Sequence, residues 1–202
     1  AKNSEVLGVV TVSDELREES KNVISALKDM NIKTVMLTGD NELCANYIGN
    51  QLGVDKIYSQ VLPQEKAKIV EELKNEGTVM MVGDGINDSP ALATADIGAA
   101  VSNGSDAAIE TADIVLMNAN LNCVLKSVVL SKLTIRNIKQ NLFWAFLYNC
   151  IGIPIAAGVL YPAFSILLNP MYAGIAMSLS SVCVVSNALS LRTKNLDKVR
   201  KK

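Results

Sequence analysis

The stretch GDGINDSPAL, residues 83–92, places glycines and carboxylates directly after a short apolar segment, residues 78–82. Asp84 and Asp88 lie four residues apart on this predicted turn. Glycine lets the backbone approach a ligand closely, one carboxylate can bind Mg²⁺, and a second can orient a neighbouring cation. The stretch therefore predicts a site that holds Mg²⁺ beside a phosphoryl group.

Two further groups extend this pattern. Thr38, Gly39 and Asp40 follow a predicted strand, residues 34–37, and Lys66 lies near the start of a predicted helix between the two strands. The Thr38 hydroxyl and the Gly39 amide are donors suited to phosphoryl oxygens, and Lys66 offers a point charge. Asp40 has two interpretations, as a site residue or as the N-cap of the next helix.

The turn contributes two more predicted site residues. We expect Asp84 and Asp88 to bind Mg²⁺, Asp88 also to hold Lys66 in place, and Asn87 to donate a hydrogen bond from the turn. The alternative is that Asp84 and Asp88 only cap the turn and the helix that follows it. Because Thr38 and Lys66 complete the pattern in order along the chain, we favour the site interpretation.

Strands and helices alternate through residues 1–118. The apolar spacing and the Gly and Pro positions predict strands at residues 6–12, 34–37, 56–58, 78–82, 97–101 and 114–117, separated by helices at 16–30, 42–52, 64–74, 89–94 and 105–111. Such alternation indicates a parallel sheet covered on both faces, with ligands beyond the carboxyl ends of its strands. The predicted site residues fall at that edge.

The remaining residues differ in character. Residues 142–191 contain no Asp, Glu, Lys or Arg, which is enough for two membrane crossings of about 20 residues each. We predict a cytosolic helix at 119–141, membrane helices at 142–163 and 171–191, a short extracytoplasmic loop at 164–170 and a basic tail at 192–202. Basic residues flank only the outer ends, so both termini should be cytoplasmic. The alternative is a buried helical hairpin in a soluble protein.

Composition excludes several classes of function. The formal net charge is −1, which gives no reason to expect nucleic-acid binding. The chain has no histidine, so imidazole metal sites are excluded. Its four cysteines are scattered without a CxxC pair, which favours reduced thiols used mainly for packing.

Together, the TGD, PQEK and GDGINDSPAL groups resemble the phosphorylation domain of a P-type ATPase, within the haloacid-dehalogenase superfamily. The resemblance implies an incomplete haloacid-dehalogenase-like parallel α/β sheet followed by an α-helical transmembrane hairpin. It also implies Mg²⁺, ATP as the substrate of the complete pump, and the rest of the pump as partner. That remainder comprises an actuator, a nucleotide-binding domain and other membrane helices. The DKTGT segment with the phosphorylated Asp does not occur in the 202 residues, so we expect this chain alone to be inactive.

The predicted membrane helices carry a second pattern. Tyr148 and Asn149 lie in the first, and Met177 and Ser181 lie four residues apart in the second. Each alone is explained by packing or interhelical hydrogen bonds, but a thioether prefers Cu(I). Jointly they are similar to the last two helices of the copper(I) subgroup of heavy-metal P-type ATPases.

That similarity implies a multi-pass protein of the cell membrane in contact with lipid. It also implies a Cu(I) pathway through these four residues, at which Ag(I) cannot be distinguished from Cu(I) because both ions are soft and monovalent. A copper chaperone is implied as a further partner. The competing hypothesis is a membrane-anchored haloacid-dehalogenase-like phosphatase or a non-catalytic regulatory paralogue. A phosphatase needs a nucleophilic Asp after its first strand, and Asp14 lacks the second Asp expected two residues later.

Overall fold

A computed structural model describes residues 16, 18–84, 86–101, 106–118, 120–159, 161–164 and 170–194. The chain divides into two compact units, Ala1–Leu125 and Lys126–Lys202. The strand predicted at residues 6–12 and the Asp14 position lie outside the described residues.

The first unit alternates helices and strands, as the apolar spacing predicts. Its strands are β1 (Val35–Leu37), β2 (Lys56–Tyr58), β3 (Met80–Gly83), β4 (Ile97–Val101) and β5 (Ile114–Leu116). Its helices are α1 (Glu18–Asp29), α2 (Glu42–Leu52), α3 (Pro63–Lys74), α4 (Ser89–Thr94) and α5 (Asp106–Thr111), with a 3-10 turn at Ile86–Asp88.

All strand pairs among the described residues are parallel, which confirms the predicted α/β class. β1 pairs with β2, and β3, β4 and β5 form a separate sheet in that order. Ala99 at the centre of β4 lies opposite Val82 on one side and Ile114 on the other. The described strands thus form two sheets rather than one, because none of them pairs with both β1 and β3.

The core lies against β4. Ala99 and Ala100 are fully buried, and Leu92 of α4 packs beside Ala100. A Cβ atom on Gly98 would lie 2.8 Å from the Leu92 carbonyl oxygen. Glycine at that position therefore lets α4 approach the sheet, and α4 in turn fixes the 3-10 turn that precedes it.

Asp55 aligns the starts of β1 and β2. Its carboxylate accepts hydrogen bonds from the Thr34 amide at 2.8 Å and the Thr34 hydroxyl at 2.9 Å, and it pairs with Lys28 at 2.9 Å. These contacts, with the Thr34 amide first, lower the pKa of the Asp55 carboxyl from 3.8 to about 2. Thr38 directly follows the last residue of β1, which is paired with β2.

We expect a carboxyl titration of the full chain by NMR to give Asp55 a midpoint of about 2. Because the folded-state pKa is lowered, the stabilisation is present above pH 3.8 and is lost as the pH falls towards 2. Lys28→Gln should raise the midpoint but leave it below 3.8, since the Thr34 amide still donates. A wild-type midpoint at 3.8 would show that these hydrogen bonds do not form in solution.

The second unit contains most of a long helix, α6 (Asn122–Ala156), followed by α7 (Tyr161–Phe164) and α8 (Pro170–Thr193). The prediction that one helix extends to residue 163 is wrong. Pro154 lies two residues before the end of α6, and Gly158 adopts a left-handed φ of 84° that stops the helix. The predicted connection at 164–170 also differs from the structure at both of its ends, because α7 includes residue 164 and α8 begins at Pro170.

Within the ranges that the structure describes, no helix combines the length and hydropathy that a membrane crossing requires. The membrane spans predicted at 142–163 and 171–191 are not confirmed.

Three asparagines join α6 to α8. Asn137 donates to the Asn187 carbonyl at 2.8 Å, and Asn187 donates to the side-chain oxygens of Asn141 at 2.7 Å and Asn137 at 3.2 Å. Asn141 also donates to the Asn137 side-chain oxygen at 3.1 Å. Only 3% of the Asn137 surface is exposed. These hydrogen bonds join residues that are 50 and 46 positions apart on two different helices, so the network fixes the register of α6 against α8.

Asn137→Leu should weaken this contact by about 1–3 kcal/mol, because the Asn141 amide loses its acceptor and the Asn187 carbonyl loses its donor. Amide hydrogen exchange in the full chain should accelerate around Asn187. Gln140→Leu is the matched control, since Gln140 lies on the same helix but is exposed. Equal exchange in both variants would show that the network does not hold the helices together.

Candidate functional site

The predicted site residues of the first unit follow the carboxyl ends of two strands. Thr38, Gly39 and Asp40 come directly after β1, and Asp84 comes directly after β3. Ligands of parallel α/β sheets bind at this edge, because helix N-termini and loop amides converge there. The fold thus places both groups where the sequence predicts a phosphoryl site.

Lys66 and Asp88 form an ion pair. The Lys66 Nζ atom lies 2.7 Å from Asp88 Oδ1, and the two side chains are 17% and 12% exposed. Lys66 is in the first turns of α3, and Asp88 ends the 3-10 turn. A lysine side chain is flexible in water, so this largely buried ion pair fixes the position of the Lys66 charge.

Gly83 makes the ion pair possible. A Cβ atom at this position would lie 2.8 Å from the Asp88 Cβ and 3.0 Å from Asp88 Oδ2. Any other residue would displace the carboxylate that holds Lys66. Glycine is therefore needed at position 83 because the backbone approaches the Asp88 side chain closely, and not because of an unusual backbone angle.

Thr38 and Asp40 form a small ring of hydrogen bonds. The Thr38 hydroxyl donates to Asp40 Oδ2 at 2.8 Å, and the Asp40 amide donates to Thr38 Oγ1 at 3.2 Å. The N-cap of α2 is Asn41, whose side chain accepts from the Cys44 amide, so the capping interpretation of Asp40 is wrong. Asp40 instead orients the Thr38 hydroxyl at the end of β1.

Asp84 and Asn87 are both exposed on the turn after β3. The described residues contain no cluster of three or more His, Cys, Asp or Glu side chains. Mg²⁺ is usually held by one or two carboxylates together with phosphate and water oxygens, so an accessible Asp84 suits it. Asp88, the second predicted magnesium ligand, already uses Oδ1 for Lys66. The donor chemistry fits a magnesium ion bound mainly through Asp84.

The comparisons with known proteins agree with this geometry. Two families described as haloacid dehalogenase-like hydrolases match residues 1–96 and 65–128. A copper-exporting P-type ATPase of Vibrio cholerae is 53% identical over 186 residues, covering 92% of this chain and 20% of the relative. A probable copper-exporting P-type ATPase of Archaeoglobus fulgidus is 49% identical over 192 residues, covering 95% and 24%. The chain is homologous to a part of the copper-transporting P-type ATPases.

A solved structure supports the same family. The chain aligns with the crystal structure of a zinc-transporting PIB-type ATPase in an E2.Pi state with a TM-score of 0.83 and 35% identity. The match covers 94% of this chain and 30% of that one. The chain thus spans about a quarter of the length of the P-type ATPases it resembles.

The second group of predicted residues lies in the second unit. Tyr148 and Asn149 are exposed on α6, and Met177 and Ser181 belong to α8, although the Met177 side chain lies outside the described part. Tyr148 follows Asn137 by 11 residues, about three full turns, so it shares the face of α6 that contacts α8. Asn149 is rotated by about 100° from Tyr148.

Two functional features of this ATPase homologue are missing from the sequence predictions. One is the close contact of Gly83 with Asp88, and the other is the asparagine network between α6 and α8. Asn137 and Asn141 recur at an i, i+4 spacing, which could have indicated a shared polar face. Their partner Asn187 could not be found by spacing, because it lies on a different helix.

Proposed function

We propose that the chain is the C-terminal portion of an ATP-driven Cu(I) export pump that works through an aspartyl-phosphate whose Asp lies outside these residues. Ag(I) is chemically equivalent at such a site. The observation that carries the proposal is the Lys66–Asp88 ion pair, held 2.7 Å apart, together with Asp84 at the end of β3 and Thr38 at the end of β1. Positioned cations and donors of this kind stabilise a transferring phosphoryl group.

Each residue has a separate role in this proposal. Bound Mg²⁺ would neutralise phosphoryl charge, and Asp84 would hold it. Lys66 contacts a phosphoryl oxygen while Asp88 keeps its ammonium group in place. The Thr38 hydroxyl, the Gly39 amide and Asn87 donate hydrogen bonds, and Asp40 orients Thr38. None of these groups forms a covalent bond, so the reaction also needs the external Asp.

We assign Cu(I) rather than Zn²⁺ to the transported ion. The relatives named as copper transporters are 48–53% identical to this chain, whereas the zinc-transporting structure is 35% identical. The sequence has no Asp or Glu between Ile114 and Leu196, so a divalent ion such as Zn²⁺ lacks a carboxylate ligand there. A copper-importing homologue of Enterococcus hirae is 48% identical, so transport assays should test both directions.

The membrane arrangement is also part of the proposal. The charge-free residues 142–191 and their basic flanks support two membrane spans, the first in the C-terminal part of α6 and the second in α8, with both termini cytoplasmic. In that setting the partners are lipid, the actuator, the nucleotide-binding domain, the other membrane helices and a copper chaperone. The competing hypothesis is an anchored phosphatase or regulatory paralogue. The reading frame that precedes this chain distinguishes it from the pump. A DKTGT segment and a Cys-Pro-Cys in frame support the pump.

Met177→Ala tests the ion assignment. We suggest a chimera in which this chain replaces the matching segment of the Vibrio cholerae copper-exporting P-type ATPase. The substitution should weaken Cu(I) binding by more than about tenfold, since even outer-shell changes commonly cost that much. It should leave phosphorylation from inorganic phosphate intact, because those residues lie in the first unit.

Ser178→Ala is the matched control for Met177→Ala. Its hydroxyl donates to the Gly174 carbonyl at 3.0 Å on the same helix, so its loss should leave Cu(I) binding unchanged. Tyr148→Phe should also weaken binding or transport, since it removes an oxygen from the predicted pathway. Unchanged Cu(I) affinity in Met177→Ala would mean that the thioether only packs.

A further inference from the structure

A cationic stripe runs along one face of α6. Lys132, Arg136, Lys139 and Phe143 follow one another at spacings of four, three and four residues, which places them on the same side of a helix. Together with Gln140 and Trp144 they line an open groove of about 480 Å³. We call this surface the α6 stripe.

The α6 stripe has no counter-charge of its own. No Asp or Glu occurs between Ile114 and Leu196. Within the described ranges, Lys132, Arg136 and Lys139 take part in no salt bridge. All three side chains are exposed on α6, whereas the neighbouring residue Asn137 is buried. Three unneutralised cations on one face attract an anionic partner.

The stripe and the asparagine network occupy different sides of α6. At about 100° per residue, Asn137 and Asn141 lie roughly 150° away from the middle of the stripe. The three cations and Phe143 therefore lie away from α8, whereas Trp144 lies about 110° from the middle of the stripe, towards the side of Asn137. The aromatic end is also exposed, with Phe143 at 60% and Trp144 at 49%, and their rings meet edge to face at 5.5 Å.

The order of charges and rings matches a lipid interface. The three cations span about 10 Å along the helix axis, and Trp144 lies about 7 Å further towards the charge-free residues. Lys and Arg contact headgroup phosphates, whereas Trp prefers the boundary between headgroups and acyl chains. A free phosphate would use the cations but would gain nothing from the two aromatic rings.

We propose that the α6 stripe binds the headgroups of anionic phospholipids in the cytoplasmic leaflet. Lys132, Arg136 and Lys139 contact the phosphates, and Phe143 and Trp144 lie against the upper acyl chains. This inference rests on the membrane location proposed above. It adds a lipid-binding surface that is separate from the phosphoryl site and that meets the predicted ion pathway at Trp144, whose ring lies 6.3 Å from that of Tyr148.

Trp144 is the only tryptophan in the chain, so it reports on this surface directly. The full chain is reconstituted into phosphatidylcholine vesicles containing a trace of phosphatidylserine or phosphatidylcholine that carries the dansyl group on its acyl chain, so that the two probes differ in headgroup charge. Energy transfer from Trp144 should favour the phosphatidylserine probe. Lys132→Gln with Arg136→Gln should reduce that preference by on the order of tenfold. Lys132→Arg with Arg136→Lys, which keeps both charges, should retain it.

The outcomes separate this inference from the proposed function. If brominated lipids do not quench Trp144, the membrane location itself is wrong. If they quench it but both probes receive equal transfer, or both variants behave alike, the lipid-binding inference is overturned. Suppression of the preference by inorganic phosphate, but not by chloride of equal ionic strength, would assign the stripe to free phosphate and also overturn it.

Discussion

Lys66→Met is expected to destabilise the chain by about 3–5 kcal/mol, because it leaves the charge of Asp88 shielded and unpaired. Asp88 is only 9% exposed, so water cannot replace the lost partner easily. Chemical denaturation of the full chain, followed by far-UV circular dichroism, measures this change. In the Vibrio cholerae chimera the same substitution should abolish phosphoenzyme formation.

A second variant separates stability from chemistry. Lys66→Met combined with Asp88→Leu replaces the ion pair by apolar groups and should recover most of the lost stability. It should not recover phosphorylation, since the cation is still missing. Lys68→Met is the control, because Lys68 lies exposed on the same helix and pairs with no described residue. Phosphoenzyme formed at normal levels by the double variant would show that Lys66 only stabilises the fold.

Asp84→Asn is expected to reduce Mg²⁺-dependent phosphorylation of the chimera by on the order of a hundredfold or more. A metal ion at a phosphoryl group contributes several kcal/mol of charge stabilisation, and an amide is a much weaker magnesium ligand than a carboxylate. Asp84 is exposed, so its replacement should leave the stability of the fold almost unchanged. Cu(I) binding should also persist, because its predicted residues lie in the second unit.

The control for Asp84→Asn is Asp106→Asn. Asp106 is an exposed carboxylate at the start of α5 and belongs to no predicted site. Phosphorylation as a function of Mg²⁺ concentration should shift strongly for Asp84→Asn and remain unchanged for Asp106→Asn. A normal magnesium dependence in Asp84→Asn would remove this residue from the metal site.

The sequence alone determined the class of the first unit and the residues of its candidate site. Helix α2 begins at Glu42 and ends before Gly53, as predicted, because capping and glycine signals act over a few residues. Strand β4 likewise occupies the predicted residues 97–101. Thr38 and Asp84 each follow the carboxyl end of a strand, as local patterns predict, although β1 and β3 belong to separate sheets.

The expected contact between Lys66 and Asp88 is confirmed, but only the tertiary structure decided the other long-range contacts. Asn137 and Asn187 are 50 positions apart, so no local period links them. The close approach of Gly83 to Asp88 depends on how the 3-10 turn folds back on β3. These features arise from packing between distant segments, which spacing and composition do not encode.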